Sequence, residues 1–133
     1  MFPLPFQSFY SASKAALVSW TRAVSGEVSR FGIRVSAVCP GDVRTGFTAA
    51  RRFDGKGDSE YGGAVSRALA KAEASERIGC EPEVVARTIF RQATARHPRI
   101  VVTAGAGMAS LDVLSRFLPR SLVSRLVSRI YAG

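Results

Sequence analysis

The sequence predicts an α/β fold, mostly helical, with about two short parallel strands. Two runs rich in β-branched residues, 33–38 and 100–103, are each closed by proline or glycine. Between them, Glu81-Pro82-Glu83 opens a helical pattern. A strand, a crossover helix and a second strand make a parallel pair, and such a unit winds right-handed. Elsewhere, apolar residues recur at spacings of three and four, the period of amphipathic helices.

Residues 2–7 carry two prolines and read as an extended approach. Ser8 or Ser11 is placed to cap a helix running to about Phe31. Leu17, Trp20, Val24, Val28 and Phe31 form its apolar stripe, expected to face a core. Ala12, Ala15 and Ala16 leave a patch that another helix can approach closely. Gly32 is the expected C-terminal glycine. The strand at 33–38 is apolar on both faces past Ser36 and stops at Pro40-Gly41, as a buried parallel strand does.

Residues 42–76 are weakly patterned, with five glycines and charges of both signs. They read as a mobile loop, with 64–74 a short helix. Lids come from such low-stability segments. In the next helix, Pro82 sits early and the acids lie at the positive dipole end. Val84, Val85, Thr88, Ile89 and Ala93 form its inner side, and His97-Pro98 ends it. The second strand stops at Gly105 and Gly107. The tail reads as two helices split by Pro119. Leu111, Leu114 and Leu118 line the first; Leu122, Val123, Leu126, Val127 and Ile130 line the second.

At 133 residues this is at most one domain. A hydrophobic fraction of 47% describes a globular chain, not a disordered one. The net charge of +9 comes mainly from arginine, since the only lysines are Lys14, Lys56 and Lys71. These charges are scattered and carry no nucleic-acid motif, so a solvated basic surface is expected and a nucleic-acid partner is not. No acid follows Asp112, and a basic amphipathic helix of this kind can contact a membrane surface. Packing over a pocket or against another subunit is the commoner use of such a face. Cys39 and Cys80 fit no metal-ligand spacing, so no metal is expected. The N-terminus lacks the basic flank and long apolar run of a signal peptide, and no run reaches the length of a membrane span. A cytoplasmic chain with reduced thiols is the expectation.

The chemistry concentrates at Tyr10-Ser11-Ala12-Ser13-Lys14. A tyrosine and a lysine four apart share one face of a helix. A free phenol titrates at about 10, and a cation beside it favours the phenolate. The pair then becomes a usable acid and base at neutral pH. Beyond the helix come Pro40-Gly41-Asp42-Val43-Arg44-Thr45. Alone, each feature has a plain reading: a surface pair, a turn, a helix cap. Together, Tyr-x-x-x-Lys, a helix, a short strand and Pro-Gly-x-x-x-Thr resemble the short-chain dehydrogenase/reductase family, over nearly the whole chain.

That resemblance implies the C-terminal portion of a Rossmann-like doubly wound parallel sheet: one partial domain over residues 1–133, with a substrate loop at 45–76 and C-terminal helices at 108–131. It implies an NAD(P)-dependent oxidoreductase that interconverts an alcohol and a carbonyl by hydride transfer. The cofactor is NAD or NADP, with NADP favoured. By the same resemblance Tyr10 is the acid/base, and Lys14 tunes it and binds the nicotinamide ribose. Pro40 and Gly41 let the backbone pass the nicotinamide. Val43 binds the carboxamide through main-chain groups, and Thr45 reaches the carboxamide or phosphates through its hydroxyl. The partners implied are a small apolar alcohol or carbonyl, lipid or steroid-like, and a second copy of the full-length protein packed on the tyrosine helix. His97 matches no member of the catalytic set.

The family's glycine-rich turn after a first strand does not occur in these 133 residues. Its catalytic serine and supporting asparagine lie further upstream of the tyrosine than Tyr10 lies from Met1. The expectation is therefore a C-terminal half, poorly soluble and inactive alone. The competing readings are a non-catalytic remnant that binds a partner and a basic module docked on anionic membrane.

Overall fold

Among the described residues, two parallel four-residue strands, four α-helices and one short 3-10 turn form. The computed structural model describes residues 3–47, 50, 57–105 and 119–132. Its elements are α1 (Ser8–Val28), a 3-10 turn (Ser29–Phe31), β1 (Ala37–Pro40), α2 (Ala64–Arg77), α3 (Pro82–Thr94), β2 (Val101–Ala104) and α4 (Arg120–Ala132). The expected mixed α/β, mostly helical architecture with one parallel strand pair is what forms. The expected helix over Leu111, Leu114 and Leu118, and the stop at Gly107, lie outside the described residues.

Helix α1 begins without a side-chain cap: Gln7 holds the cap position. This corrects the expectation for Ser8 and Ser11. Ser8 is the first helical residue, and Ser11 is buried one turn in, where its Oγ accepts the Leu4 N–H at 3.2 Å. The serine therefore ties the extended approach to the helix. At the other end Gly32 takes φ +75° and donates its N–H to the Ser29 carbonyl, as the glycine predicts.

The face that α1 buries differs from the apolar stripe. Leu17, Trp20 and Phe31 are 54%, 59% and 65% exposed, while Ser11 and Thr21 are buried and Val18, Val24, Ser25 and Val28 half-buried. A sheet of two strands is too narrow to cover the whole apolar side. Thr21 meets its buried position by donating Oγ1 to the Leu17 carbonyl at 2.8 Å.

The strands pair in parallel, Ala37 with Val101 through Pro40 with Ala104. The ladder begins later than the β-branched run, because Ile100 supplies the first carbonyl, to Ala37 N–H at 2.8 Å. Residues 33–36 lead in outside the ladder, with Ser36 Oγ donating to the Arg99 carbonyl. Pro40 ends the strand, where its missing N–H costs nothing.

Helix α2 starts after Gly62 and Gly63, at φ +57° and +76°. Asp58 caps it from outside: Oδ1 accepts the N–H groups of Val65 and Ser66 at 3.0 and 3.1 Å. Hydrogen bonds from Ser66 lead the causes that hold the Asp58 carboxyl below the usual range. Helix α3 opens on Pro82 with Glu83 in its first turn, buries Thr88 and ends at Thr94. Ile89 lies half-exposed, unlike the expected inner position. Helix α4 packs on α2, and the Lys71 ammonium meets the Ile130 carbonyl. Cys39 and Cys80 form no disulfide with each other. Among the described residues no helix is long and apolar enough to cross a membrane, and no His, Cys, Asp and Glu cluster is placed to hold a metal.

Candidate active site

Tyr10 and Lys14 occupy consecutive turns at the start of α1, and helical geometry brings them together. The Lys14 ammonium lies over the Tyr10 ring, 5.3 Å from its centroid. Tyr10 is 46% exposed, so the residue is partly open to solvent. Ser13 Oγ donates to the Tyr10 carbonyl at 2.8 Å, and no hydrogen bond ties the phenol itself among the described residues.

The bend after β1 is held by main-chain bonds. Gly41 donates to the Ala104 carbonyl at 3.1 Å. Val43 then forms an isolated parallel bridge with Cys80. Cys80 N–H meets the Asp42 carbonyl and Arg44 N–H meets the Cys80 carbonyl, both at 2.9 Å. In a parallel bridge the neighbours of the paired residue make those bonds, and its own N–H and C=O point to the opposite side. Among the described residues no hydrogen bond engages the Val43 N–H or C=O, which face away from Cys80. Arg44 adds an exposed ion pair with Glu81 at the start of α3.

Thr45 is engaged from a different direction. Its hydroxyl donates to Glu76 Oε1 at 2.7 Å, and the Phe47 N–H reaches both Thr45 Oγ1 and Glu76 Oε1, at 3.2 and 3.0 Å. The Phe47 ring packs on Tyr10 with centroids 6.3 Å apart. A second aromatic pair, Phe6 and Tyr61, meets edge-on at 5.4 Å. The two described ends of the 47–61 segment are thus both anchored beside the start of α1. Phe6 adopts φ +61° there, the one left-handed non-glycine backbone among the described residues.

Of the residues singled out by sequence, Tyr10 and Lys14 are in contact. Pro40, Gly41, Val43 and Thr45 lie along one bend, which touches Tyr10 through Phe47. Among the described residues no hydrogen bond or ion pair joins Tyr10 or Lys14 to those four. Phe47, Tyr61, Glu76 and the Gly79-Cys80 step went unnoticed in the sequence; aromatics bounding a glycine-rich loop were the available signal. A cavity of about 400 Å³ between α3 and the lead-in to β1 contains none of the site residues. His97 stands apart as well, beside a smaller hollow formed with Ser29 and Ile33.

Residues 1–55 match the short chain dehydrogenase family. The chain is 33% identical over 132 residues to a 3-ketodihydrosphingosine reductase of Bacteroides thetaiotaomicron, covering 97% of this chain and 49% of the relative. It is 30% identical over 133 residues to human retinol dehydrogenase 5, covering 90% of this chain and 42% of the relative. A 42-residue stretch is 55% identical to a human 3-oxoacyl-[acyl-carrier-protein] reductase, covering 32% of this chain and 18% of the relative. The chain thus spans about half the length of the first two relatives, and no solved structure matches it. The motifs on α1 and the β1 bend, together with these matches, make this chain a member of the short-chain dehydrogenase/reductase family.

Proposed function

We propose that this chain is the substrate-side half of an NAD(P)-dependent oxidoreductase interconverting an alcohol and a carbonyl. One observation carries the reading: a half-exposed phenol with an ammonium 5.3 Å from its ring centroid, on the first turns of α1. When bound, the nicotinamide cofactor accepts or supplies the hydride. Tyr10 handles the proton. In reduction its hydroxyl protonates the carbonyl oxygen; in oxidation the phenolate takes the alcohol proton. Lys14 stabilises the negative charge left on the phenol and donates hydrogen bonds to a neighbouring ribose. The main-chain groups of Val43 orient a carboxamide, and Gly41 keeps the bend slim enough for close approach.

The substrate is apolar on this reading. Phe47, against Tyr10, and Tyr61, against Phe6, stand about three-fifths exposed, with Phe9 more open still. Two relatives are named for 3-ketodihydrosphingosine and retinol, both largely hydrocarbon. Aromatic rings beside the reactive oxygen suit such a molecule, since burying apolar surface is worth about 25 cal/mol per Å².

The test uses the protein expressed from its complete coding sequence, with NADH or NADPH oxidation followed against a panel of long-chain ketones. Tyr10→Phe is expected to lower kcat by about 100-fold or more while leaving dinucleotide binding intact. Lys14→Met is expected to lower kcat and to weaken cofactor binding as well. A Tyr10→Phe enzyme as fast as the wild type sinks the assignment.

A further inference from the structure

Thr45 is held by a residue to which no role was given in the sequence. Glu76 lies near the C-terminal end of α2, 31 positions from Thr45 in the chain. Its Oε1 accepts both the Thr45 hydroxyl and the Phe47 N–H. Its charge also reaches Asp42 and is the second cause, after burial, that pushes the Asp42 carboxyl up. One carboxylate thus touches or acts on three residues of the bend that carries Val43.

A hydroxyl has one hydrogen to give and two lone pairs to receive with. In Thr45 the hydrogen is spent on a charged acceptor, the stronger kind of hydrogen bond. One lone pair faces the Phe47 N–H. What remains is an acceptor. A phosphate oxygen, itself only an acceptor, finds no hydrogen on this hydroxyl; the Glu76 carboxylate stands against it from α2, and Arg44, the cation of the bend, is paired with Glu81. An amide –NH₂ is the complementary group.

Resting on the oxidoreductase reading above, we propose that Glu76 is a positioning residue for the cofactor. It locks the Thr45 hydroxyl as a hydrogen-bond acceptor for the nicotinamide carboxamide –NH₂ and turns the bend away from phosphate. Glu76 acts through Thr45 and touches no reacting atom. It also fastens α2 to the bend at Thr45 and Phe47.

The experiment compares two dinucleotides by calorimetric titration of the protein made from its complete coding sequence. One is the native oxidised cofactor. The other is its 3-acetylpyridine analogue, which keeps the carbonyl but has methyl in place of –NH₂. The wild type is expected to bind the analogue about tenfold more weakly, the loss of roughly one hydrogen bond. Glu76→Ala frees the hydroxyl to donate, so the preference is expected to shrink to within about twofold, with native-cofactor binding weakened. Glu76→Gln keeps an acceptor oxygen and is expected to retain most of the preference. Thr45→Val removes the preference, and adding Glu76→Ala to it changes nothing further.

If Glu76 served only to hold α2, its loss would weaken both dinucleotides in parallel and leave their ratio unchanged; that result overturns the proposal. A wild type that binds both dinucleotides equally overturns it too, without touching Tyr10 and Lys14. A wild type that binds neither overturns this proposal and the oxidoreductase reading together. If Glu76→Ala fails to fold, the wild-type ratio and the Glu76→Gln ratio still decide.

Discussion

Asp42 illustrates what a single side chain costs the bend. Its carboxyl is held above the ordinary range, first by burial and then by the charge of Glu76. The folded state therefore grips this proton more tightly than the unfolded state does. Asp42 favours folding while protonated. That advantage fades as pH rises from the ordinary carboxylate value through the raised folded one, and it is gone above that raised value. Asp58 has the opposite sign. Its carboxyl is held down by the bonds it accepts at the start of α2, so its contribution is present above the ordinary value and lost as pH falls through the lowered one. Asp42→Asn removes the repelling charge and keeps the size. It is expected to raise the denaturation midpoint at pH 7 and to match the wild type below about pH 3.5, where the aspartate is protonated in both states. Urea melts at several pH values provide the check, and a variant no more stable than the wild type at pH 7 counts against the argument.

At the scale of elements, the site depends on how closely the β1 bend approaches the turn between α2 and α3. Gly79 sets that distance. A Cβ there would lie 2.5 Å from the Asp42 carbonyl oxygen, 2.6 Å from its carbon and 2.8 Å from the Val43 nitrogen. All three are backbone atoms, so no flexible side chain can swing aside. Gly79→Ala must push the bend away and weaken the two 2.9 Å bonds that pair Cys80 with Asp42 and Arg44. The expected cost is about 1–3 kcal/mol, seen as a lower Tm. Cofactor affinity should fall with it, because Val43 and Thr45 ride on that bend. An unchanged Tm would show that the bend yields freely. This contact also marks the limit of what the sequence discloses. Helix spacing is local, so Tyr10 and Lys14 could be placed on one face from the sequence alone, as could the glycine stop at Gly32. The parallel strands were legible as β-branched runs, though the ladder sits later because Ile100 provides its first carbonyl. Glu76 on Thr45, Phe47 on Tyr10 and Gly79 under Asp42 join positions about 30 or more apart in the chain. No periodicity encodes such meetings. The buried face of α1 was misread for a related reason: periodicity reports where apolar residues lie, not how wide the covering sheet is.

For the whole molecule, the decisive quantity is how little of the apolar surface these residues cover by themselves. Among the described residues, the buried hydrophobic ones are Ala64, Ala68 and Ala104, all small, and no large side chain is fully buried. Phe9, Leu17, Trp20, Phe31, Ile78 and Phe90 are all more than half exposed. Among the described residues the sheet has two strands, and none lies beside the edge of β1 away from β2. Parallel strands are found stably between several neighbours, with helices over both faces. An uncovered apolar edge recruits other chains. The net charge of +9 opposes that association and does nothing to fix a core. Prepared as these 133 residues alone, the chain is therefore expected to keep helical far-ultraviolet dichroism but lose near-ultraviolet signal, bind a hydrophobic dye and melt without a sharp transition, the marks of a molten globule. Supplying neighbouring strands, by fusion to the unmatched portion of a full-length relative, should give a fixed near-ultraviolet spectrum for Trp20 and a cooperative melt. The same preparation tests where catalysis resides: the 133 residues alone should leave NADH and NADPH unoxidised with every ketone. A sharp melt with turnover from this chain alone would mean that these 133 residues suffice, and that the exposed apolar side of α1 and the open edge of β1 need no partner.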